Sequence, residues 1–368
     1  MKEGKKKPVW KRNLVIAAAM LLAAGIAGRS LVTCNGADVL FFHGGEAYQN
    51  CTYEPLGGGM LCVSRSSLSF VDARGREVWK LSAEFVSPMV VTAGDKAICY
   101  DKGGNGIVVV DQDGKKTETR TPYPIERGAI SESGSFAAIL ENGRAPQVVC
   151  YDDRGNEKAK HQTSLKNRGY PVALALSPKG DRLVVSYLDV RCGTASGLAT
   201  CFELKKGGRE EDLELPGNLA PEVGFYGDDK VVLAGSADVV FADAGKTFKS
   251  VKTIKNEGEI EKVSMGEEGV AIVSRSYGAA SRLKVYSPEG EKLLSAGFDD
   301  NFEHVTLLKK EVFCYSGTHL KILTLRGREK FLGTVPKRIE KIQKAGFGKK
   351  YLIAGDDGVC GIRIRKVR

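Results

Sequence analysis

Seven times between residues 71 and 327 the sequence repeats one small pattern. A short β-branched or aromatic run meets a polar turn closed by glycine, and a second run follows. The turns are Val71-Asp72-Ala73-Arg74-Gly75, Val110-Asp111-Gln112-Asp113-Gly114, Tyr151-Asp152-Asp153-Arg154-Gly155 and Leu204-Lys205-Lys206-Gly207, then Phe241-Ala242-Asp243-Ala244-Gly245, Tyr286-Ser287-Pro288-Glu289-Gly290 and Leu323-Thr324-Leu325-Arg326-Gly327. Asp or Pro early in such a turn and Gly at its positive-φ position close two antiparallel strands. The closing glycines are 39, 41, 52, 38, 45 and 37 residues apart, a mean of 42. That period predicts four-stranded propeller blades.

A second set of hairpins fixes the register. Ser131-Glu132-Ser133-Gly134, Ser177-Pro178-Lys179-Gly180, Tyr226-Gly227-Asp228-Asp229 and Met265-Gly266-Glu267-Glu268 each precede an apolar run. Ile339-Glu340-Lys341-Ile342 matches Ile260-Glu261-Lys262-Val263, so it reads as a strand although its spacing alone suits a helix. The units are approximately 45–84, 85–123, 124–166, 167–217, 218–256, 257–299, 300–336 and 337–368. The last lacks its outer strand, and the unpartnered run Ala37–Phe42 is expected to supply it, closing the ring and removing its free sheet edges. The reading is an all-β, eight-bladed β-propeller, with seven blades as the alternative. Cys62, Cys99 and Cys314 recur at one place in three units, as expected of small buried hydrophobes rather than redox groups.

Leu14 to Gly28 is fifteen uncharged residues preceded by six basic ones. Extended to Cys34, it reaches the length of a membrane-spanning helix of about 30 Å. The basic flank belongs on the cytoplasmic side. We therefore expect a basic cytoplasmic tail over 1–13, a transmembrane signal anchor over 14–34 and a propeller over 35–368. This places a single-pass protein in the cell membrane, its C-terminal domain extracytoplasmic. Two alternatives are a cleaved signal peptide, with small residues at Gly25-Ile26-Ala27, and lipidation at Cys34, where Leu31-Val32-Thr33-Cys34 resembles a bacterial lipobox.

The formal net charge of +10 dissolves once it is localised. Residues 1–36 hold seven basic groups and one acid, while the remainder has 48 basic and 44 acidic residues. No basic stripe of the kind that phosphate neutralisation needs is visible, so nucleic-acid binding is not expected. The four histidines, His43, His161, His304 and His319, are scattered, and no zinc spacing, GxSxG elbow, P-loop or dinucleotide fingerprint occurs. No cofactor, metal site or catalytic residue is assigned. The Asp-rich turns at 111–114 and 152–155 lack the downstream Glu of a calcium loop. Cys192 and Cys201 flank eight residues in the over-long fourth unit. If they are the two ends of a hairpin, they can form a disulfide outside the cell. Cys51 and Cys62 are a weaker second pair.

The repeats resemble those of eight-bladed quinoprotein-like and WD40-like propellers, and Asp72-Ala73-Arg74-Gly75-Arg76-Glu77-Val78-Trp79 resembles the tryptophan-docking motif of quinoprotein blades. The turn is one residue shorter here, and no other blade has the Trp. The layout over 37–368 is similar to uncharacterised membrane-anchored propeller proteins of Gram-positive bacteria and to envelope-assembly scaffold propellers. That resemblance implies a tethered, non-enzymatic scaffold for an envelope or secreted protein. The alternative is a glycan- or cofactor-binding propeller, enzyme or small-ligand binder, with its site in the central funnel. Candidate contact loops are Gly44–Gly59 and Arg191–Thr200, because length beyond the hairpin minimum usually has a reason. Oligomeric state is left open.

Overall fold

The computed structural model describes residues 33–143, 145–163, 168–189, 196–205, 207–346 and 348–367. Eight four-stranded antiparallel sheets follow one another along the chain. Seven are built from consecutive strands, spanning 52–82, 88–120, 125–162, 170–215, 222–255, 259–297 and 304–334. The eighth takes Lys341–Lys344, Lys350–Gly355 and Gly358–Arg365 from the end of the chain and its outermost strand, Gly36–Gly44, from the beginning. The pairing runs from Gly36 opposite Arg365 to Gly44 opposite Gly358, with an irregularity between Val39 and Phe41. Eight blades and the closing strand are as the repeat spacing predicts. Ile342 lies in a strand, not a helix.

Burial explains why the two kinds of strand read differently. Phe136–Leu140 and Gln147–Tyr151 are buried at every position, because neighbouring blades cover both faces of the middle strands. The outer strand Glu77–Ser82 alternates between exposed and half-buried, since only one of its faces meets another blade. Each buried aliphatic or aromatic side chain contributes about 1.5–3 kcal/mol, and the clusters lie between successive blades. Phe313, Ile322 and Phe331 of blade 7 pack with Ile342, Tyr351 and Ile362 of blade 8, for example. Cys62, Cys99 and Cys314 are buried free thiols on the second strands of their blades.

Adjacent blades also clasp one another at the glycine-closed turns. The Trp79 indole N–H donates to the Gln112 carbonyl at 2.9 Å, and a Cβ on Gly114 would stand 3.0 Å from its ring. Phe41, Thr119, Lys252 and Leu294 occupy the same role against Gly75, Gly155, Gly290 and Gly327. The docking motif thus extends beyond the single Trp visible in sequence, filled by whatever side chain reaches the next turn.

The two faces of the disc differ in what they hold. Turns joining first to second and third to fourth strands lie on one face, and the remaining connections lie on the other. The chain enters on the first of these. Cys34 bridges Phe331 in parallel, Thr33 Oγ1 donates to the Glu329 carbonyl at 3.0 Å, and the Lys349 ammonium donates to Cys34 Sγ at 3.0 Å. This is the entry face, and its opposite is the distal face. Thr33 and Cys34, which the sequence places at the end of the anchor, are extended, and Cys34 is 0% exposed. No helix of the described residues is long and apolar enough to cross a membrane, and residues 1–32 lie outside that set.

Candidate functional site

The first strand of every blade lines the central channel, so its two mouths gather side chains from all eight blades. At the distal mouth the charges pair across blades. Lys102 of blade 2 meets Glu126 of blade 3 at 2.8 Å. Arg127 reaches Glu222 of blade 5 at 3.5 Å and donates to the Val172 carbonyl of blade 4 at 2.8 Å. Arg275 of blade 6 holds Glu261 of its own blade and Asp300 of the connection to blade 7, each at 2.9 Å. Lys341 of blade 8 meets Glu54 of blade 1 at 2.5 Å. Burial lifts the Glu54 carboxyl above its ordinary value while the Lys341 ammonium draws it back. Burial likewise raises Glu340, with Asp356 beside it adding to the effect.

These pairs reach as far as 287 positions along the chain. They tie the ring together at its inner rim.

Apolar side chains stand free on the same face. Val86 is 78% exposed and Tyr277 fully so, with Met89 and Tyr170 also in solvent. Val86 and Met89 belong to the entry into blade 2, Tyr170 to that into blade 4, and Tyr277 to the loop between the middle strands of blade 6. The first part of the candidate loop Gly44–Gly59 is here too, whereas Thr52–Leu56 is a strand and Gly57-Gly58 turns on the entry face. The segment between Gly44 and Thr52 carries the short helix Glu46–Tyr48, and a cavity of about 700 Å³ opens between it and Ser64–Ser66 and Val86–Pro88. Of the other candidate loop, Arg191–Thr200, residues 196–200 belong to the strand Ser196–Glu203, and residues 191–195 lie outside the described residues.

A hydrogen-bonded chain that sequence reasoning missed anchors the first loop. His43 Nε2 lies 2.8 Å from the Tyr48 hydroxyl, which donates to Glu77. Burial and the neighbouring Glu77 hold the Tyr48 phenol neutral. The arrangement fastens the loop to blade 1. No local pattern could reveal it, because Glu77 comes from a different hairpin.

The entry mouth is a cavity of about 670 Å³ lined by Glu132, Asp228, Asp229, Glu267 and Met265. Asp228 pairs with Lys179 and Asp229 with Arg182. Nearby, between blades 7 and 8, the carboxylate of Glu311 (5% exposed) takes the Lys330 ammonium, the Tyr351 hydroxyl at 2.9 Å and the Lys344 ammonium at 3.4 Å. Burial depresses Lys330, and Glu311 opposes that shift.

Cys201 stands opposite Val184 inside its sheet, buried, its thiol pushed up to about 12 by that burial. Cys192, the other half of the expected disulfide, lies outside the described residues. Cys51 and Cys62 are free thiols, with Cys62 opposite Tyr53. No cluster of three or more His, Cys, Asp or Glu side chains suited to a metal ion occurs among the described residues.

The fold has solved counterparts. BamB from Moraxella catarrhalis aligns at a TM-score of 0.55 and 14% identity, over 90% of this chain and 99% of that one. AztD from Citrobacter koseri aligns at 0.55 and 10% identity, over 79% of this chain and 87% of that one. Likeness at these identities is one of fold alone. No curated protein matches the sequence. The family comparison is the more direct: residues 43–364 match the model of DUF5711, a family of unknown function, and the chain belongs to it.

Proposed function

We propose that this chain is a membrane-tethered extracytoplasmic propeller, a non-enzymatic scaffold that presents its distal face to an envelope or secreted protein. The carrying observation is the asymmetry of the disc. Val86, Met89, Tyr170 and Tyr277 stand exposed on the face opposite chain entry, where tethering would leave them free. Exposed apolar side chains among polar ones mark protein contact surfaces. The cross-blade pairs support a scaffold, because they use the mouth's carboxylates to hold the ring.

The anchor part of the proposal rests on the sequence. Since Thr33 is bonded to blade 7, the proposed anchor over 14–34 would have to span with residues 14–32, about 28 Å at 1.5 Å per residue. Protease added to intact protoplasts tests the placement. Digestion of the body, with a cytoplasmic control protected, supports it; protection until lysis overturns it.

A second reading has one observation in its favour, the convergence of Glu132, Asp228, Asp229 and Glu267 on the entry cavity. Such a site would suit a small polyhydroxylated ligand such as a glycan. Glycan binding abolished by Glu132→Gln with Glu267→Gln would support that reading, and binding left unchanged by the pair would exclude it.

A further inference from the structure

We propose that the entry-face turns of blades 7 and 8 form a basic platform that docks on anionic phospholipid headgroups of the bilayer; this rests on the tether reading above.

The charge distribution comes first. Each of blades 1 to 6 places at least one acid in its entry-face turns: Asp72, Asp95, Glu132, Asp181, Asp228 and Glu267. Blades 7 and 8 place none within these turns, their nearest acids being Glu311 and Glu329, each the first residue of the strand that follows. Their turns, adjoining strand ends and chain end carry Lys309, Lys310, Arg326, Arg328, Lys349, Lys350, Arg365 and Lys366. Lys309, Lys310, Arg326, Lys350 and Lys366 are exposed, and none of these five makes an ion pair among the described residues. The nearest acids are occupied: Glu311 by Lys330 and Lys344, Glu329 by Lys321 at 3.3 Å, and Asp38 by Arg365 at 2.6 Å. Arg328 Nε is buried without a hydrogen-bond partner. Val367, 43% exposed, stands beside Lys366 as an apolar side chain at the same edge.

Position selects the occupant. The chain enters the propeller within this sector, and Thr33 is already bonded to the outer strand of blade 7. An extended residue spans at most about 3.6 Å, so a helix ending at residue 32 puts these turns at headgroup level. Cations at such a surface are attracted over about a Debye length, roughly 8 Å at physiological ionic strength. Single-sign charge at the anchoring point also sets the disc's tilt, holding the distal face outward.

The test uses the full chain in proteoliposomes of 30% phosphatidylglycerol in phosphatidylcholine, or of phosphatidylcholine alone. Acylation of individual lysines by an amine-reactive ester is followed by mass spectrometry. Lys309 and Lys366 are expected to react at least fivefold more slowly in the anionic vesicles, with distal Lys102 unchanged, and 1 M salt should erase the difference. The variant Lys310→Glu/Arg326→Glu/Lys350→Glu, all exposed positions, should abolish the protection. Equal rates in both vesicles, in a chain that floats with them after carbonate washing, overturn the docking and leave the tether standing. A chain that carbonate strips from both vesicles overturns the tether, and the docking with it. Protection by soluble polyphosphate but not by phosphatidylglycerol assigns the platform to a soluble polyanion and overturns the proposal.

Discussion

The Trp79 indole of blade 1 donates to the Gln112 carbonyl of blade 2 at 2.9 Å and lies flat against Gly114, whose φ of +84° closes that turn. Gly114 serves twice, since a side chain there would both strain the turn and displace the indole. Trp79→Ala should therefore cost about 3 kcal/mol, the low end for truncating a large aromatic. Trp79→Phe should cost about 1 kcal/mol for the lost hydrogen bond. Urea denaturation of both variants checks the order.

Glu311 is the second point of leverage. It is buried and answers two ammonium groups and a phenol. Glu311→Ala strands those cations and should destabilise by about 3–5 kcal/mol. The double variant Glu311→Leu/Lys330→Met should lose less than the sum of its single changes, because each removes the other's penalty. A double-mutant cycle in urea measures that coupling.

His161 makes stability depend on pH. Its ring lies 4.1 Å from Phe202, its Nε2 is buried without a partner, and burial lowers its pKa. A lowered folded pKa means that the unfolded chain takes the proton first. The stabilising contribution is then full above about pH 6.5, the unfolded value, and is lost as pH falls from there through the folded pKa. Melting temperature should drop between pH 7 and 5 more steeply in the natural protein than in His161→Phe. Parallel curves would contradict this role.

Ring closure depends on Gly36–Gly44. Deleting residues 33–44 exposes the edge of Gly358–Arg365 to other chains. The deleted protein should lose cooperative unfolding and aggregate, as followed by light scattering. Phe41→Ala, which vacates the space over Gly75 and Gly361, should remain folded with a lower midpoint.

What the sequence could reveal followed from locality. Each glycine-closed hairpin lies within a few residues, so the period, the eight blades and the closing role of Ala37–Phe42 were all legible. The buried Cys62, Cys99 and Cys314 were legible because they share one place in the repeat. The docking side chains were not, since Phe41, Thr119, Lys252 and Leu294 are chemically unrelated and joined only by geometry. The pairs Lys341–Glu54 and Arg127–Glu222 join blades far apart in the sequence, and no spacing rule connects them. The two faces became distinguishable only once Thr33 and Cys34 were located beside blade 7.

The most direct test of the scaffold is site-specific photo-crosslinking in living cells. A photoreactive residue would replace Met89 or Tyr277 on the distal face, or Arg154 on the entry face. Discrete adducts with an envelope or secreted protein from Met89 and Tyr277, and none from Arg154, are the expected result. No adduct above background from either distal position, or the same adducts from Arg154, would contradict it.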